Sequence, residues 1–245
     1  MKNQVEFKVS GPMALFTDPI SRMGGEKCSY HIPTYEALKG VLKSIYWKPT
    51  FIWIVDKVRI MNPIQTQTRN VKPLEYGGGN TLAIYTYLAD VEYQVIAHFE
   101  WNAFRPDMKK DRIDGKHYAI AQRMIDKGGR QDVFLGTREC QAYVEPCKFG
   151  EENGAYDEIP ELGFGLMFHG FDYPDETGKT DVNGRQDEDG EFRLHSRFWS
   201  PVVRQGELDF IRPEECGVRK YVRDMIPNPP KSNGLNEEAI RNELD

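Results

Sequence analysis

The sequence predicts an α+β fold in the order β-α-β-β-α-β, with a smaller β-rich unit behind it. Three observations carry this reading. Apolar residues alternate at strand period through Val5-Phe7-Val9 and from Val91 to Trp101, and Phe51 to Ile60 is strand-like in composition. Helical spacing appears at Tyr35, Leu38, Val41, Leu42 and Ile45, and again after Gly115. Turn residues stand between these segments, at Gly11-Pro12, Asn62-Pro63 and Gly128-Gly129.

Taken in order, the first strand is expected to stop at Gly11-Pro12, and a long loop with Arg22, Gly24-Gly25 and Lys27 leads to Pro33. Thr34 offers a side-chain oxygen to the free amides of a helix start, and Pro49 closes that helix. Lys39, Lys43 and Tyr46 lie at i, i+4 and i+7, so they share one flank. The second strand runs from Phe51 to Ile60. Gln65 to Pro73, with Arg69 and Lys72, and the glycines Gly77-Gly78-Gly79 read as an excursion before the third strand, Val91 to Trp101. Arg105, Lys109, Lys110 and Arg112 follow as a basic run. Asp114 is the expected cap of the second helix, with Ile113 and Tyr118 as a hydrophobic staple and Gly128-Gly129 as its end. Val133-Phe134 and Cys140 to Val144 complete a fourth strand region. This order is the split arrangement of ferredoxin-like folds, shared with many RNA-recognition domains.

Composition changes near residue 150. Glu151 to Glu191 contains 13 acids and two bases, with Pro174-Asp175 and Asn183-Gly184 as turn signals. Gly163 to Phe171 and Phe192 to Trp199 are apolar enough to be strands. The expected division is therefore 1–149 for the ferredoxin-like domain, 150–226 for the β-rich extension and 227–245 for a polar tail opening on Pro227-Asn228-Pro229-Pro230.

The totals exclude several classes. With 39% hydrophobic and 29% charged residues over 245 positions, the chain can bury a good core and does not read as disordered. Its longest aliphatic and aromatic run, Phe51 to Val55, cannot span a bilayer, and Met1-Lys2-Asn3 opens onto a strand pattern, so a cytoplasmic location without membrane contact is expected. Cys28, Cys140, Cys147 and Cys216 show no CxxC spacing, which argues for reduced thiols and against zinc. No Walker or Rossmann spacing and no Gly-x-Ser-x-Gly elbow occurs, so neither a cofactor nor a metal is expected.

The net charge of −6 conceals an asymmetry. Met1 to Arg130 holds 19 Lys+Arg against 13 Asp+Glu, whereas the remainder holds 13 against 25. A basic half on an acidic chain points to a localised face for a polyanion, within the reach of unscreened charge. Lys39, Lys43, Lys48, Arg69, Lys109, Lys110 and Arg112 are the candidate phosphate contacts.

Lys116 and His117 fall in the first turn of the second helix, where free backbone amides favour an anion. A phosphate fits there; so does a solvated lysine beside a half-buried histidine. His98 and Glu100 share one strand face as a structural pair, and His31, His169 and His195 are assigned no chemistry. Tyr46, Lys116 and His117 together suit metal-free cleavage of RNA. Attack by the 2′-OH on the adjacent phosphate needs a proton acceptor, a proton donor for the leaving 5′-oxygen and positive charge on the phosphorane. His117 would exchange protons and Lys116 would stabilise charge; Tyr46 would either transfer a proton or orient. In the split fold the end of the first helix and the start of the second can converge.

Phe7-Lys8-Val9-Ser10-Gly11-Pro12 with Phe16, Ser29-Tyr30, Pro33-Thr34, Ala37 to Leu42, Ile45-Tyr46-Trp47-Lys48-Pro49 and Asn62-Pro63-Ile64 resemble the amino-terminal signature of the CRISPR-associated Cas-five proteins, in the d-type of subtype I-C systems. The likeness covers the first half of the chain. It implies a ferredoxin-like domain with a β-rich extension, and cleavage of precursor CRISPR RNA at the base of the repeat hairpin, without metal, to a 2′,3′-cyclic phosphate. The family's tyrosine, lysine and histidine correspond to Tyr46, Lys116 and His117. The resemblance further implies retention of the RNA's 5′ handle and assembly with the backbone and large subunits of the interference complex. A non-catalytic subunit that binds the handle is the alternative.

Overall fold

The computed structural model describes residues 2–18, 25–73, 77–79, 81–172 and 193–224. Its elements are β1 (Gln4–Ala14), α1 (Tyr35–Ile45), β2 (Phe51–Ile60), β3 (Gln65–Val71), β4 (Ala83–Trp101), a 3-10 helix (Pro106–Asp111), α2 (Lys116–Asp126), β5 (Val133–Phe134) and β6 (Gln141–Pro146). They continue with β7 (Leu162–Gly163), β8 (Met167–Phe171), β9 (Arg193–Trp199), β10 (Val202–Val203), β11 (Glu207–Asp209), a short 3-10 helix (Pro213–Glu215) and β12 (Val218–Asp224). The fold is mixed α/β and dominated by antiparallel sheets. The largest has seven strands in the order β11-β2-β4-β1-β6-β5, with β3 paired to β4.

Alternation builds the core face. Val5, Phe7 and Val9 of β1, Phe51, Trp53, Val55 and Val58 of β2, and Val91, Tyr93, Val95, Ala97 and Phe99 of β4 are buried against α1 and α2. On α1, Thr34 Oγ1 accepts from the Ala37 amide at 3.2 Å, and Tyr35, Leu38, Val41, Leu42 and Ile45 form the buried stripe.

Several boundaries differ from the sequence reading. β1 runs through Gly11-Pro12 to Ala14, because Met13 and Ala14 still pair with Ala89 and Leu88 of β4. Pairing with β6 ends at Ser10, and an open strand edge tolerates proline. The excursion after β2 is largely strand: β3 pairs residue for residue with Ala83 to Ala89, so β4 begins well before Val91. A left-handed Asp90 (φ 49°) marks the bend between its two halves. α2 is not capped by Asp114. Gly115 occupies the cap at φ 74° with no side-chain hydrogen bond, because the chain leaves the 3-10 helix through a left-handed residue that glycine adopts without strain. Ile113, expected in a staple, is exposed.

Beyond residue 150, β7, β8 and β9 fall within or near the expected apolar segments. β11 adds to the edge of β2, and β12-β9-β8 form a three-stranded sheet. Met167, Trp199, Val203, Leu208 and Phe210 join the same apolar cluster as the large sheet. Arg22, Gly24, Pro174-Asp175, Asn183-Gly184, Phe192 and the tail from Pro227 lie outside the described residues. Among the described residues no helix is long and apolar enough to cross a membrane.

Candidate active site

The last residue before the α1 cap is Ile45, and Tyr46 turns out of the helix with extended backbone (φ −162°, ψ 128°) while its amide still donates to Leu42 O. Trp53 Nε1 donates to Tyr46 O at 2.7 Å, pinning that turn against β2. The loop after α2 secures it from the other side. Gly129 (φ 113°) brings the amides of Arg130 and Gln131 onto the carbonyls of Ser44 and Ile45, at 3.1–3.2 Å. A foreign loop thus satisfies carbonyls that the end of α1 leaves open.

His117 is the second residue of α2 and points inward. Its ring lies 5.3 Å from Phe51, 5.6 Å from Trp101 and 6.0 Å from Tyr46, centroid to centroid. Tyr46 Oη and His117 Nδ1 are 2.8 Å apart, and His117 Nε2 is 2.8 Å from the backbone oxygen of Asp111. A carbonyl only accepts, so Nε2 carries a proton; in the neutral ring Nδ1 then accepts from the Tyr46 hydroxyl. Burial, reinforced by the Asp111 charge, pushes the Tyr46 phenol above its ordinary value, and the opposing Arg130 charge does not reverse this. The phenol keeps its proton at neutral pH and serves better as an orienting group than as a base.

Asp111 is the residue that the sequence reading missed. Its carboxylate pairs with Lys116 Nζ, accepts from Thr50 Oγ1 at 2.6 Å and stands 3.4 Å from His117 Nε2. The Lys116 ammonium, then the Thr50 hydroxyl, hold this carboxyl below the usual carboxylate range. The available signal is an acid set directly between Lys110 and Arg112 in the basic run, five residues ahead of Lys116.

The structure therefore brings Tyr46, Lys116 and His117 together, but in a closed arrangement: the His117 side chain is 0% exposed while that of Lys116 is 40% exposed. The expected phosphate contacts divide. Lys43 and Lys48 line a groove of about 600 Å³ with Trp47 and Arg130, beside Tyr46 in the chain. Lys109 and Lys110 are exposed on the 3-10 helix. Lys39 is more deeply covered than the half-buried Lys43: it is 2% exposed, because β8 packs on the start of α1, where Tyr35 stacks on His169 at 4.3 Å. Lys39 instead lines a cavity of about 470 Å³ with Asp172, Arg197, Arg212 and Arg219. Arg112 is a brace rather than a free cation, donating to Asn102 O at 2.8 Å and Arg105 O at 3.0 Å. Arg69 lies on the exposed β3, its guanidinium 6.0 Å from the Tyr87 ring. Among the described residues no group of three or more His, Cys, Asp or Glu side chains could hold a metal ion.

The profile of the CRISPR-associated Cas5 proteins, d-type, matches residues 4–211. The chain belongs to the Cas5d family. A Cas5d of Thermus thermophilus, named as a CRISPR pre-crRNA endoribonuclease, is 26% identical over 218 residues, covering 84% of this chain and 90% of that protein. A second protein of that name, from Mannheimia succiniciproducens, is 35% identical over 68 residues, and that match spans 28% of this chain and 29% of the relative. Two solved structures share the fold of this chain. A CRISPR-associated protein aligns at 35% identity with TM-score 0.72, covering 89% of this chain and 96% of the other. A functionally uncharacterized protein of Streptococcus mutans aligns at 35% identity with TM-score 0.71 and the same coverage.

Proposed function

We propose that this chain is an endoribonuclease that cuts precursor CRISPR RNA at the base of the repeat hairpin. The observation that carries the reading is the Tyr46–His117 hydrogen bond beside Lys116. The 2′-hydroxyl gives up its proton as its oxygen attacks phosphorus, the bond to the 5′-oxygen breaks as that oxygen takes up a proton, and the products are a 2′,3′-cyclic phosphate and a 5′-hydroxyl. The chemistry needs proton transfer and charge stabilisation, which an imidazole and an ammonium supply without a metal. Tyr46 occupies Nδ1, so Nε2 is the working nitrogen of His117. Asp111 now covers both groups, with its carbonyl on Nε2 and its carboxylate on Lys116. The scissile phosphate takes that place, and the Pro106–Asp111 segment moves aside to admit it.

The wider reading has the chain retain the 5′ handle within the subtype I-C interference complex, against its backbone and large subunits. We read residues 1–149 as a ferredoxin-like domain; the strand order β2-β4-β1-β6, with α1 and α2 as the two crossovers, supports that assignment. A second reading, a subunit that binds the handle without cutting, is favoured by the full burial of the His117 side chain. Incubating the protein with its cognate repeat RNA and mapping the product ends separates the two. A single cut beside the stem ending in a cyclic phosphate supports the enzyme; tight binding with intact RNA supports the subunit.

A further inference from the structure

The groove beside Tyr46 has a composition that the cleavage chemistry does not use. It is lined by Lys43, Ser44, Trp47, Lys48, Pro49, Arg130 and Gln131, has a volume of about 600 Å³, and no carboxylate lines it among the described residues. Trp47 is 45% exposed, whereas Trp53 is at 1% and Trp199 at 8%. An isolated exposed indole is unremarkable on a protein surface. Here, however, three cationic side chains border the same concavity, and its volume falls within the range of small-molecule sites. An aromatic face with cations at its rim suits one base and its phosphate.

The groove is also built, and does not arise from loose side chains. Its floor is the junction where the amides of Arg130 and Gln131 bind the carbonyls of Ser44 and Ile45. Trp47 follows Tyr46 directly, and the Tyr46 carbonyl is fixed by Trp53 at 2.7 Å. Arg130 is close enough for its charge to act on the Tyr46 phenol. Whatever the groove holds therefore sits at a fixed offset from the Tyr46–His117 pair.

We propose that this groove is a nucleotide subsite: Trp47 stacks one unpaired base of the RNA, and Lys43, Lys48 and Arg130 hold the adjoining phosphate. The inference rests on the endoribonuclease reading for the identity of its ligand. A base inside the hairpin stem has no free face to offer, so the nucleotide is a single-stranded one flanking the stem. The subsite places that nucleotide and thereby sets which phosphate reaches His117.

The test uses the full chain and a repeat RNA carrying a 2′-deoxy nucleotide at the scissile position, so that binding is read without cleavage. Its arms are the RNA with its single-stranded flank and the stem alone. Intrinsic tryptophan fluorescence should be quenched more by the flanked RNA than by the stem. Trp47→Phe should remove most of the quenching while keeping most of the affinity, the remainder belonging to Trp101, 5.6 Å from His117. Trp47→Ala should weaken binding about tenfold. Arg130→Gln and Lys48→Gln should each lower the slope of log affinity against log salt by roughly 0.7. Unchanged affinity in Trp47→Ala, undiminished quenching in Trp47→Phe, or equal quenching by the stem alone would overturn the subsite. The two readings fail separately: quenching and binding as described with no cut in unmodified RNA removes the enzyme and leaves the subsite, and cutting with normal Trp47→Ala affinity does the reverse.

Discussion

Tyr46 Oη lies 2.8 Å from His117 Nδ1 although 71 positions separate the two residues. The contact exists because α1 ends where α2 begins, and both ends are tied down by neighbouring backbone. In this account Tyr46 orients the imidazole and His117 exchanges the proton. His117→Ala should lower single-turnover cleavage about 10²-fold or more, and Tyr46→Phe by a smaller factor of about ten, since the ring and its packing survive. Affinity for 2′-deoxy RNA should stay within about twofold in both. Cleavage by His117→Ala at the unmodified rate would contradict the assignment.

Asp111 and Lys116 form an ion pair where the phosphate is proposed to sit. Asp111→Asn keeps a partner for Thr50 but releases the Lys116 charge. RNA binding should tighten a few-fold at low salt, with a salt slope steeper by roughly 0.7. Filter binding across a salt series checks this, and weaker binding by the variant would count against phosphate replacing the carboxylate.

Two histidines should shape stability against pH in opposite directions. His169 is buried against Tyr35, and burial followed by the Arg197 charge pushes its pKa down to about 4. The unfolded ring titrates near ~6.5, so between these values the unfolded chain binds the extra proton. The contribution of neutral His169 is full above ~6.5 and is lost as pH falls to about 4. His98 donates to or shares a proton with Asp56 at 2.7 Å, and that hydrogen bond raises its pKa. Its contribution is full below ~6.5 and lost as pH rises through the folded value. Urea midpoints should therefore rise from pH ~4 to ~6.5 less steeply in His169→Phe than in the parent chain, and fall less above ~6.5 in His98→Gln. Identical slopes in variant and parent would refute either attribution.

Arg197 and Asp172 are a buried pair at 2.7 Å, with side chains 2% and 6% exposed. Asp172 also pairs with Arg219, whose side chain is 35% exposed, so Asp172→Asn takes the partner from both guanidinium groups, strands the buried Arg197 charge and should cost about 3–5 kcal/mol in denaturant unfolding. A loss below about 1 kcal/mol in Asp172→Asn would show that the pair is not load-carrying in this sense.

How far the site was legible follows from which interactions are local. α1 and the inner faces of β2 and β4 are written in local periodicity, and Tyr46, Lys116 and His117 could be named from residue chemistry and motif. The cap of α2 is not legible locally, because Asp114 has the right side chain but Gly115 has the backbone that the turn requires. The burial of Lys39 is not legible either, because helical spacing fixes a flank without saying what covers it, and β8 packs on the start of α1. Asp111 escaped notice because a carboxylate amid lysines looks like a solvated counter-charge until the 3-10 helix aims it at Thr50, Lys116 and His117. Arg130 became visible only when Gly129 set it against the end of α1.

Metal-free attack by the substrate's own 2′-hydroxyl is tested by cleavage of the cognate repeat RNA in EDTA, beside the same RNA with a single 2′-deoxy substitution at the scissile nucleotide. The unmodified RNA should be cut in full in EDTA and the 2′-deoxy RNA not at all, because the nucleophile belongs to the substrate. Cutting that needs added metal, or that survives loss of the 2′-hydroxyl, would contradict it.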